Sequence, residues 1–137
     1  MPATHSKTKN YTGYLFLFSC TGLLLELLLL SHIESVWQRI PLSLLALGIL
    51  LQVLAYKWPL RGLRKITLAL MALSGLLGIY LHLHNNYEFA AELYASADPL
   101  SLLLQSLSGA VPALSPAAMI MVAGIGYLHL QLANTNT

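Results

Sequence analysis

The ionisable residues of this chain sort by sign onto opposite ends of its hydrophobic segments. The cations at one end are Lys7, Lys9, Lys57, Arg61, Arg64 and Lys65, and the acids at the other are Glu34, Glu88, Glu92 and Asp98. Glu26 lies inside a hydrophobic segment, and Arg39 is a cation on the acidic side. Because the cytoplasmic loops of membrane proteins are enriched in lysine and arginine, this asymmetry predicts an integral membrane protein with a fixed orientation.

The composition is that of a chain surrounded by lipid. Hydrophobic residues make up 57% of the 137 residues and charged residues only 9%, with a mean hydropathy of +0.69. Soluble domains carry about 25% charged residues. The composition therefore favours the lipid bilayer as the surrounding medium and argues against nucleic acid as a partner. The single cysteine, Cys20, lies in an apolar run and is interpreted as a structural core residue.

Four hydrophobic stretches approach the length of about 20 residues that a helix needs to cross the hydrocarbon core. They cover residues of about 11–32, 38–56, 66–84 and 116–133. The second is predicted to begin with Pro41 in its first turn or slightly earlier. The sequence thus predicts an all-α membrane protein: residues 1–137 form a single domain, an antiparallel bundle of four transmembrane helices. With the basic turn at 57–65 inside, both termini are expected in the cytoplasm, at a bacterial inner membrane.

The long connection before the fourth stretch contains a helix signal of its own. Asp98 and Pro99 form a typical helix start, and apolar residues follow on one face at Leu100, Leu103, Leu104 and Leu107. This pattern predicts a short helix over about 99–109 that lies at the outer membrane interface.

Small residues within the last two stretches indicate close contacts between helices. They are Ser74, Gly75, Gly78 and Gly124. Such residues let helix backbones approach each other within a membrane. They are predicted to be helix-packing positions.

Histidines and acids gather at the predicted outer ends of the first and third helices. The candidate metal ligands are His32, Glu34, His82, His84 and Glu88. Imidazole and carboxylate groups are ligands for zinc, copper and iron, so a divalent metal is one hypothesis for a cofactor. A single haem b held by His32 with His82 or His84 is an alternative. The simpler interpretation is a polar rim that water solvates, since the chain contains no HExxH or CxxC motif.

Glu26 is the ionisable residue that the sequence places deepest in a membrane, within a run of leucines. A carboxylate at such a position costs roughly 2.5 to 3.5 kcal/mol on insertion scales unless it is paired, protonated or hydrated. It is predicted to be a buried ionisable group, serving either as an ion or proton partner of the outer cluster or as a hydrogen-bonded link between helices. His129, near the inner end, is expected to snorkel or to bond a backbone carbonyl.

The sequence contains no GxSxG, GxxxxGK[ST] or GxGxxG motif, so no catalytic residue is predicted and a non-enzymatic role is favoured. The first functional hypothesis is a small membrane subunit or accessory protein that packs against a larger membrane complex, against other subunits or against itself. The alternative is a metal-binding membrane protein with its site at the outer ends of the first and third helices. A third hypothesis is a lipid or quinone pocket lined by aromatic residues near Tyr87.

Overall fold

A computed structural model describes residues 2–109 and 111–134, and this part of the chain is all-helical. It contains the helices α1 (Pro2–Leu29), α2 (Val36–Leu54), α3 (Arg61–Leu93), α4 (Pro99–Leu107) and α5 (Ala117–Asn134). The all-helical fold class predicted from the sequence is confirmed over these residues.

The four longer helices pack in a ring. α1 contacts α2 and α5, α3 also contacts α2 and α5, and α4 packs on α3. Residues near the start of α1, the end of α2, the start of α3 and the end of α5 are joined by hydrogen bonds. Neighbouring helices in the ring therefore run in opposite directions. Lys9 and Arg64 lie at the same end of the bundle, which we call the basic end.

Three of these helices are long and apolar enough to cross a membrane. The segments are Lys7–Leu29, Val36–Leu54 and Arg61–Leu93, with mean hydropathies of 1.7, 1.5 and 1.9. The apolar part of α5, Ala117–Ala133, is shorter. The structure therefore supports an association with membranes, while a fourth crossing by α5 stays a prediction.

The second helix begins earlier than the sequence indicated. Ser35 caps it by accepting a hydrogen bond from the backbone N–H of Gln38, and the Gln38 side chain in turn accepts from the Ser35 N–H. This reciprocal capping box fixes the start of the helix at Val36. Pro41 consequently lies inside the helix rather than in its first turn.

The third helix is longer than predicted, because it continues beyond residue 84 to Leu93. No proline or glycine interrupts the chain between Leu83 and Leu93, so nothing in the local sequence ends the helix at the membrane boundary. The extra turns carry Asn86 and Glu88 beyond the predicted span, and Asn86 contacts the loop that leads to α5.

The predicted start of the short helix α4 is confirmed. The Asp98 carboxylate accepts hydrogen bonds from the backbone N–H groups of Leu100 and Ser101, at 3.0 and 3.1 Å. Leu102 and Ser106 are buried, whereas the four leucines of the predicted apolar face, Leu100, Leu103, Leu104 and Leu107, are exposed. Helix α4 thus turns most of its leucines away from the bundle.

The core lies between the four longer helices. It is formed chiefly by apolar side chains that include Phe16, Cys20, Leu45, Met71 and Met119. Cys20 and Met71 are completely buried. Neither side chain needs a hydrogen-bond partner there, because thiol and thioether groups pack well against apolar side chains.

Two of the small residues on α3 lie directly against the start of α5. A Cβ atom added at Gly75 would lie 2.9 Å from the carbonyl oxygen of Pro116, and one at Gly78 would lie 2.7 Å from the Pro116 Cβ. Ser74 is half-buried and borders an open groove between α2 and α3. Gly124 instead faces open space, so it packs against no other helix of the described chain.

Candidate functional site

The basic end of the bundle holds a buried network of polar side chains. His129 of α5 lies at its centre, with Nε2 3.1 Å from Nε2 of Gln52 and Nδ1 3.0 Å from the carbonyl oxygen of Lys9. The Arg64 guanidinium donates to Oε1 of Gln52. Gln52 and His129 are 3% and 7% exposed. The network therefore joins α1, α2, α3 and α5.

The direction of each hydrogen bond in this network follows from the arginine. Because a guanidinium only donates, Oε1 of Gln52 accepts, and the Gln52 amide group donates to Nε2 of His129. The proton of the neutral imidazole then lies on Nδ1, which donates to the Lys9 carbonyl. In this series of hydrogen bonds, from the Arg64 guanidinium to the Lys9 carbonyl, each donor therefore has an acceptor.

The expectation that His129 bonds a backbone carbonyl is confirmed. The participation of Gln52 and Arg64 was not foreseen from the sequence. Gln52 is a polar residue in an apolar span, and the turn between α2 and α3 folds Arg64 back toward it. A polar residue in an apolar span with an arginine just after the next turn is a signal from which this contact could have been predicted. The donors and acceptors of the network are directed at one another. The network therefore holds the helices together.

A small cavity lies beside this network, bordered by Phe16, Gly48, Arg64 and Thr67 among others. Its volume of about 10 Å³ is at the lower limit for one water molecule. It is too small for a haem or a quinone.

At the opposite end of the bundle, two side chains of α3 hold the loop that precedes α5. Asn86 is 4% exposed. Its Nδ2 atom donates to the carbonyl oxygens of Ser106 and Val111, at 2.9 and 2.7 Å, and its Oδ1 accepts from the Val111 N–H at 3.3 Å. His82 pairs through Nδ1 with the Pro112 carbonyl at 3.1 Å. Asn86 and His82 together fasten this loop to α3.

The other predicted ligand on α3, His84, points along the exposed helix surface. Its Nε2 lies 3.3 Å from Oε1 of Glu88 one turn later. Its ring stacks on Tyr80 one turn earlier, with 5.9 Å between the ring centroids. His84 and Glu88 form a helix-surface pair of the kind worth a few tenths of a kcal/mol, about 0.2–0.5.

His32 lies in the connection between α1 and α2, close enough to His82 for the two rings to interact electrostatically. Partial burial, with a smaller contribution from the charge of His82, lowers the pKa of His32 below the ordinary histidine value. Glu34 is exposed. Among the residues that the structure describes, no three His, Cys, Asp or Glu side chains are grouped to hold a metal ion. The five predicted ligands are thus divided: His82 contacts the Pro112 carbonyl, His84 pairs with Glu88, and His32 and Glu34 lie in the connection between α1 and α2.

Glu26 lies on the outside of the bundle rather than in its interior. Its side chain is exposed, and within the described chain it has no hydrogen-bond or ion-pair partner. The sequence predicted that Glu26 is buried, whereas in the structure its side chain is not buried among the helices. In a helix with leucines on every side, no single face is more hydrophobic than the others. The sequence therefore could not indicate which side of α1 faces the core.

Between Leu15 and Leu29, the residues that share this face of α1 are apolar or small. At about 3.6 residues per turn, Leu15, Phe18, Gly22, Glu26 and Leu29 fall within about a quarter of the helix circumference. The leucines and Phe18 on this face are exposed, with Phe18 at 76% and Leu29 at 86%. Gly22 faces open space, with no atom of another residue within 4 Å of an added Cβ. We call this set the Glu26 face.

Comparison with known proteins found no matching family model, no matching curated protein and no matching solved structure. The function therefore has to be argued from the geometry of this chain.

Proposed function

We propose that the chain is a small integral membrane subunit or accessory protein that acts by assembling with other polypeptides within the membrane. In this proposal it lies in a bacterial inner membrane, with α5 as the fourth crossing, α4 at the outer interface and both termini in the cytoplasm. The observation that carries the proposal is the position of Glu26. A carboxyl group at membrane depth is presented to the surroundings instead of to the chain's own core.

The contrast with the interior of the bundle supports this proposal. Gln52, His129 and Asn86 are buried, and each is hydrogen-bonded to another part of the same chain. Glu26 has no such partner in the described structure. A carboxylate facing lipid at the centre of a membrane costs roughly 2.5 to 3.5 kcal/mol on insertion scales, and Glu26, about one turn from the end of α1, bears a smaller part of that cost. Contact with a polar group of a second polypeptide offsets that cost, whereas contact with acyl chains does not.

The outward surface of the bundle also suits assembly. Exposed leucines lie on α1 around Glu26 and on the outward side of α4. Between α2 and α3 there is an open groove lined by Leu44, Leu70, Leu73 and Leu77, with Ser74 beside them. Small and branched apolar residues at such positions allow the close packing of helices in membranes.

Purification from native membranes in a mild detergent tests this proposal. We expect the wild-type chain to be isolated with other polypeptide chains in a constant ratio, and Glu26→Leu to reduce their recovery. Glu92→Leu is the matched control, because Glu92 is also exposed but lies near the end of α3, beyond the span of about 66–84 predicted from the sequence. Recovery of the wild type as a single chain, under conditions in which known membrane complexes stay intact, would contradict the proposal.

One observation favours a metal-binding protein as a second candidate function. Metal-binding histidines usually direct one ring nitrogen at a carbonyl or carboxylate, which orients the other nitrogen toward the metal. His82 has this arrangement with Pro112, and its charge contributes to lowering the pKa of His32. Elemental analysis of the purified chain, beside His32→Ala with His82→Ala, tests this candidate. Stoichiometric zinc, copper or iron that is lost in the variant supports it, and its absence from the wild type excludes it. His84→Ala is the control.

A further inference from the structure

We propose that the hydrogen-bond network around His129 is a pH-sensitive latch on α5. In this proposal His129 binds Gln52 only while its imidazole is neutral, and a proton taken up at Nε2 breaks the contact between α2 and α5. The latch consists of contacts within one chain, so it is independent of the proposed role as a membrane subunit.

The Arg64 guanidinium fixes which atom of the Gln52 amide faces the imidazole. It donates to Oε1, so the amide NH2 group is left to donate to Nε2 of His129, 3.1 Å away. Nδ1 carries the imidazole proton and donates to the Lys9 carbonyl, 3.0 Å away. A second proton, on Nε2, would place two donors against each other. Turning the amide over would only move the conflict to Arg64, because a guanidinium has no acceptor.

The surroundings of the imidazole leave no other partner for a second proton. Gln52 and His129 are 3% and 7% exposed, so water has little access to either side chain. A Cβ atom added at Gly13 would lie 2.9 Å from Cε1 of His129, which shows that the imidazole is packed tightly against α1. A buried charge without a hydrogen-bond partner is costly. Uptake of the proton is therefore coupled to loss of the contact.

Among the described side chains, the charged groups that act on His129 are cations. They are Lys9 on α1 and Arg64 on α3, and both oppose a positive charge on the imidazole. Helix α2 contributes the phenol of Tyr56, which interacts with Arg64 and is uncharged at neutral and acid pH. Helix α5 contains no Asp, Glu, Lys or Arg. The acid of α1, Glu26, lies about 25 Å along that helix from Lys9, so it offers the imidazole no counter-charge.

The latch acts on one end of α5. The start of this helix is held at the opposite end of the bundle, where Gly75 and Gly78 pack against Pro116. That packing contact does not depend on a proton. Acid is therefore expected to loosen the last turns of α5, around His129, and to leave its first turns in place.

Hydrogen exchange of the full chain in a lipid bilayer tests the latch, over about pH 7.5 to 5, the range in which histidine titrates. Mass spectrometry gives the ratio of exchange in residues 128–133 to exchange in residues 119–123, and this ratio cancels the intrinsic pH dependence. We expect the ratio to rise by up to about tenfold for each pH unit below about 6.5, because opening takes up one proton at a histidine. His84→Gln is the control and should keep the rise, since His84 is an exposed histidine outside the network.

Three substitutions distinguish a latch from a purely structural contact. His129→Gln places a side chain that does not titrate in the network, so the exchange ratio should no longer depend on pH. Gln52→Glu supplies a carboxylate that accepts from Arg64 and from a protonated His129 together, so the ratio should fall in acid. Arg64→Met leaves the Gln52 amide free to turn and accept from the protonated imidazole, so most of the acid rise should be lost.

A wild-type ratio that stays constant over this pH range would overturn the inference. An acid rise of full size in His129→Gln or in Gln52→Glu would also overturn it, because the rise would then belong to another group. Where His129→Gln fails to accumulate in the membrane, Gln52→Glu decides, since it keeps the histidine and every helix contact of the network. The purification experiment tests the subunit proposal separately, so either proposal can fail without the other.

Discussion

Nε2 of Gln52 lies 3.1 Å from Nε2 of His129, and this contact joins the end of α2 to the end of α5 across the basic end of the bundle. Arg64 donates to the other atom of the same amide, and the Lys9 carbonyl accepts from the other ring nitrogen. One amide and one imidazole thus connect four helices. The network explains how α5 is held in the ring despite being the shortest of the four by apolar length.

Removal of either central side chain should destabilise the bundle. We expect Gln52→Leu or His129→Leu to lower the free energy of unfolding by about 1–3 kcal/mol, because each leaves a buried polar partner unmatched. The double variant should lose less than the sum of the two, since the second change removes a group that is already unpaired. Denaturant titration in detergent measures all three. Ser43→Ala, which removes an exposed hydroxyl group bonded to Arg39, is the control. Strictly additive losses would show that the two residues act separately.

Gly75 and Gly124 should respond very differently to the same substitution. Gly75→Leu places a side chain against the Pro116 backbone, which cannot rotate away. We expect it to lower the free energy of unfolding by about 1–3 kcal/mol, as overpacking commonly does. Gly124→Leu meets open space and should change stability by less than about 0.5 kcal/mol. Thermal unfolding of both variants in the same detergent is the measurement. Similar losses at the two positions would contradict the described contact between α3 and α5.

Asn86 should control the order of the loop before α5. Asn86→Ala removes the donor to the Ser106 and Val111 carbonyls and the acceptor for the Val111 N–H. We expect the Val111 amide to exchange its hydrogen much faster, while amides in the middle of α3 keep their protection. Asn85→Ala is the matched control, because Asn85 is the exposed neighbour on the same helix. Hydrogen exchange followed by mass spectrometry measures the effect. Unchanged exchange at Val111 in Asn86→Ala would show that another contact holds the loop.

The start of α4 should depend on pH through Asp98. Hydrogen bonds from the Ser101 hydroxyl and then from backbone N–H groups keep the pKa of Asp98 below its ordinary value. The carboxylate therefore contributes stability to α4 above the ordinary aspartate pKa, and that contribution is lost as the pH falls through the lowered pKa. We expect faster amide exchange at Leu100 and Ser101 in acid, after correction for the intrinsic pH dependence of exchange. Asp98→Asn keeps an acceptor that does not titrate, so it should remove the pH dependence. The same pH dependence in that variant would assign it to another group.

Much of the helical pattern could be predicted from local sequence signals, because hydrophobic length, charge asymmetry and the Asp98-Pro99 pair act over a few residues. The extension of α3 to Leu93 could not, since no residue there forces the helix to end or to continue. The partners of Gln52 and Asn86 depend on which helices meet, and that is decided by packing between distant segments. The exposure of Glu26 could not be predicted either, because leucines lie on all sides of α1 and do not indicate which side faces the core.

The contacts of the predicted metal ligands also depend on packing between distant segments, which local sequence signals do not predict. Histidines and acids concentrate at the end of the bundle opposite the basic end, as the charge pattern implies. The fold nevertheless divides them among a turn, a helix surface and a loop contact. His84 and Glu88 could be paired from their spacing of four residues on one helix. The contact of His82 with Pro112 joins residues 30 positions apart and had no signal in the sequence.

Photo-cross-linking from position 29 in living cells tests the central claim most directly, because Leu29 is 86% exposed and lies on the Glu26 face. A photoreactive amino acid placed there reacts with whatever covers that face in the membrane. Our account predicts an adduct with a polypeptide chain, and a marked loss of that adduct when Glu26 is changed to leucine. Adducts with lipid alone, at the same yield with and without Glu26, would contradict it.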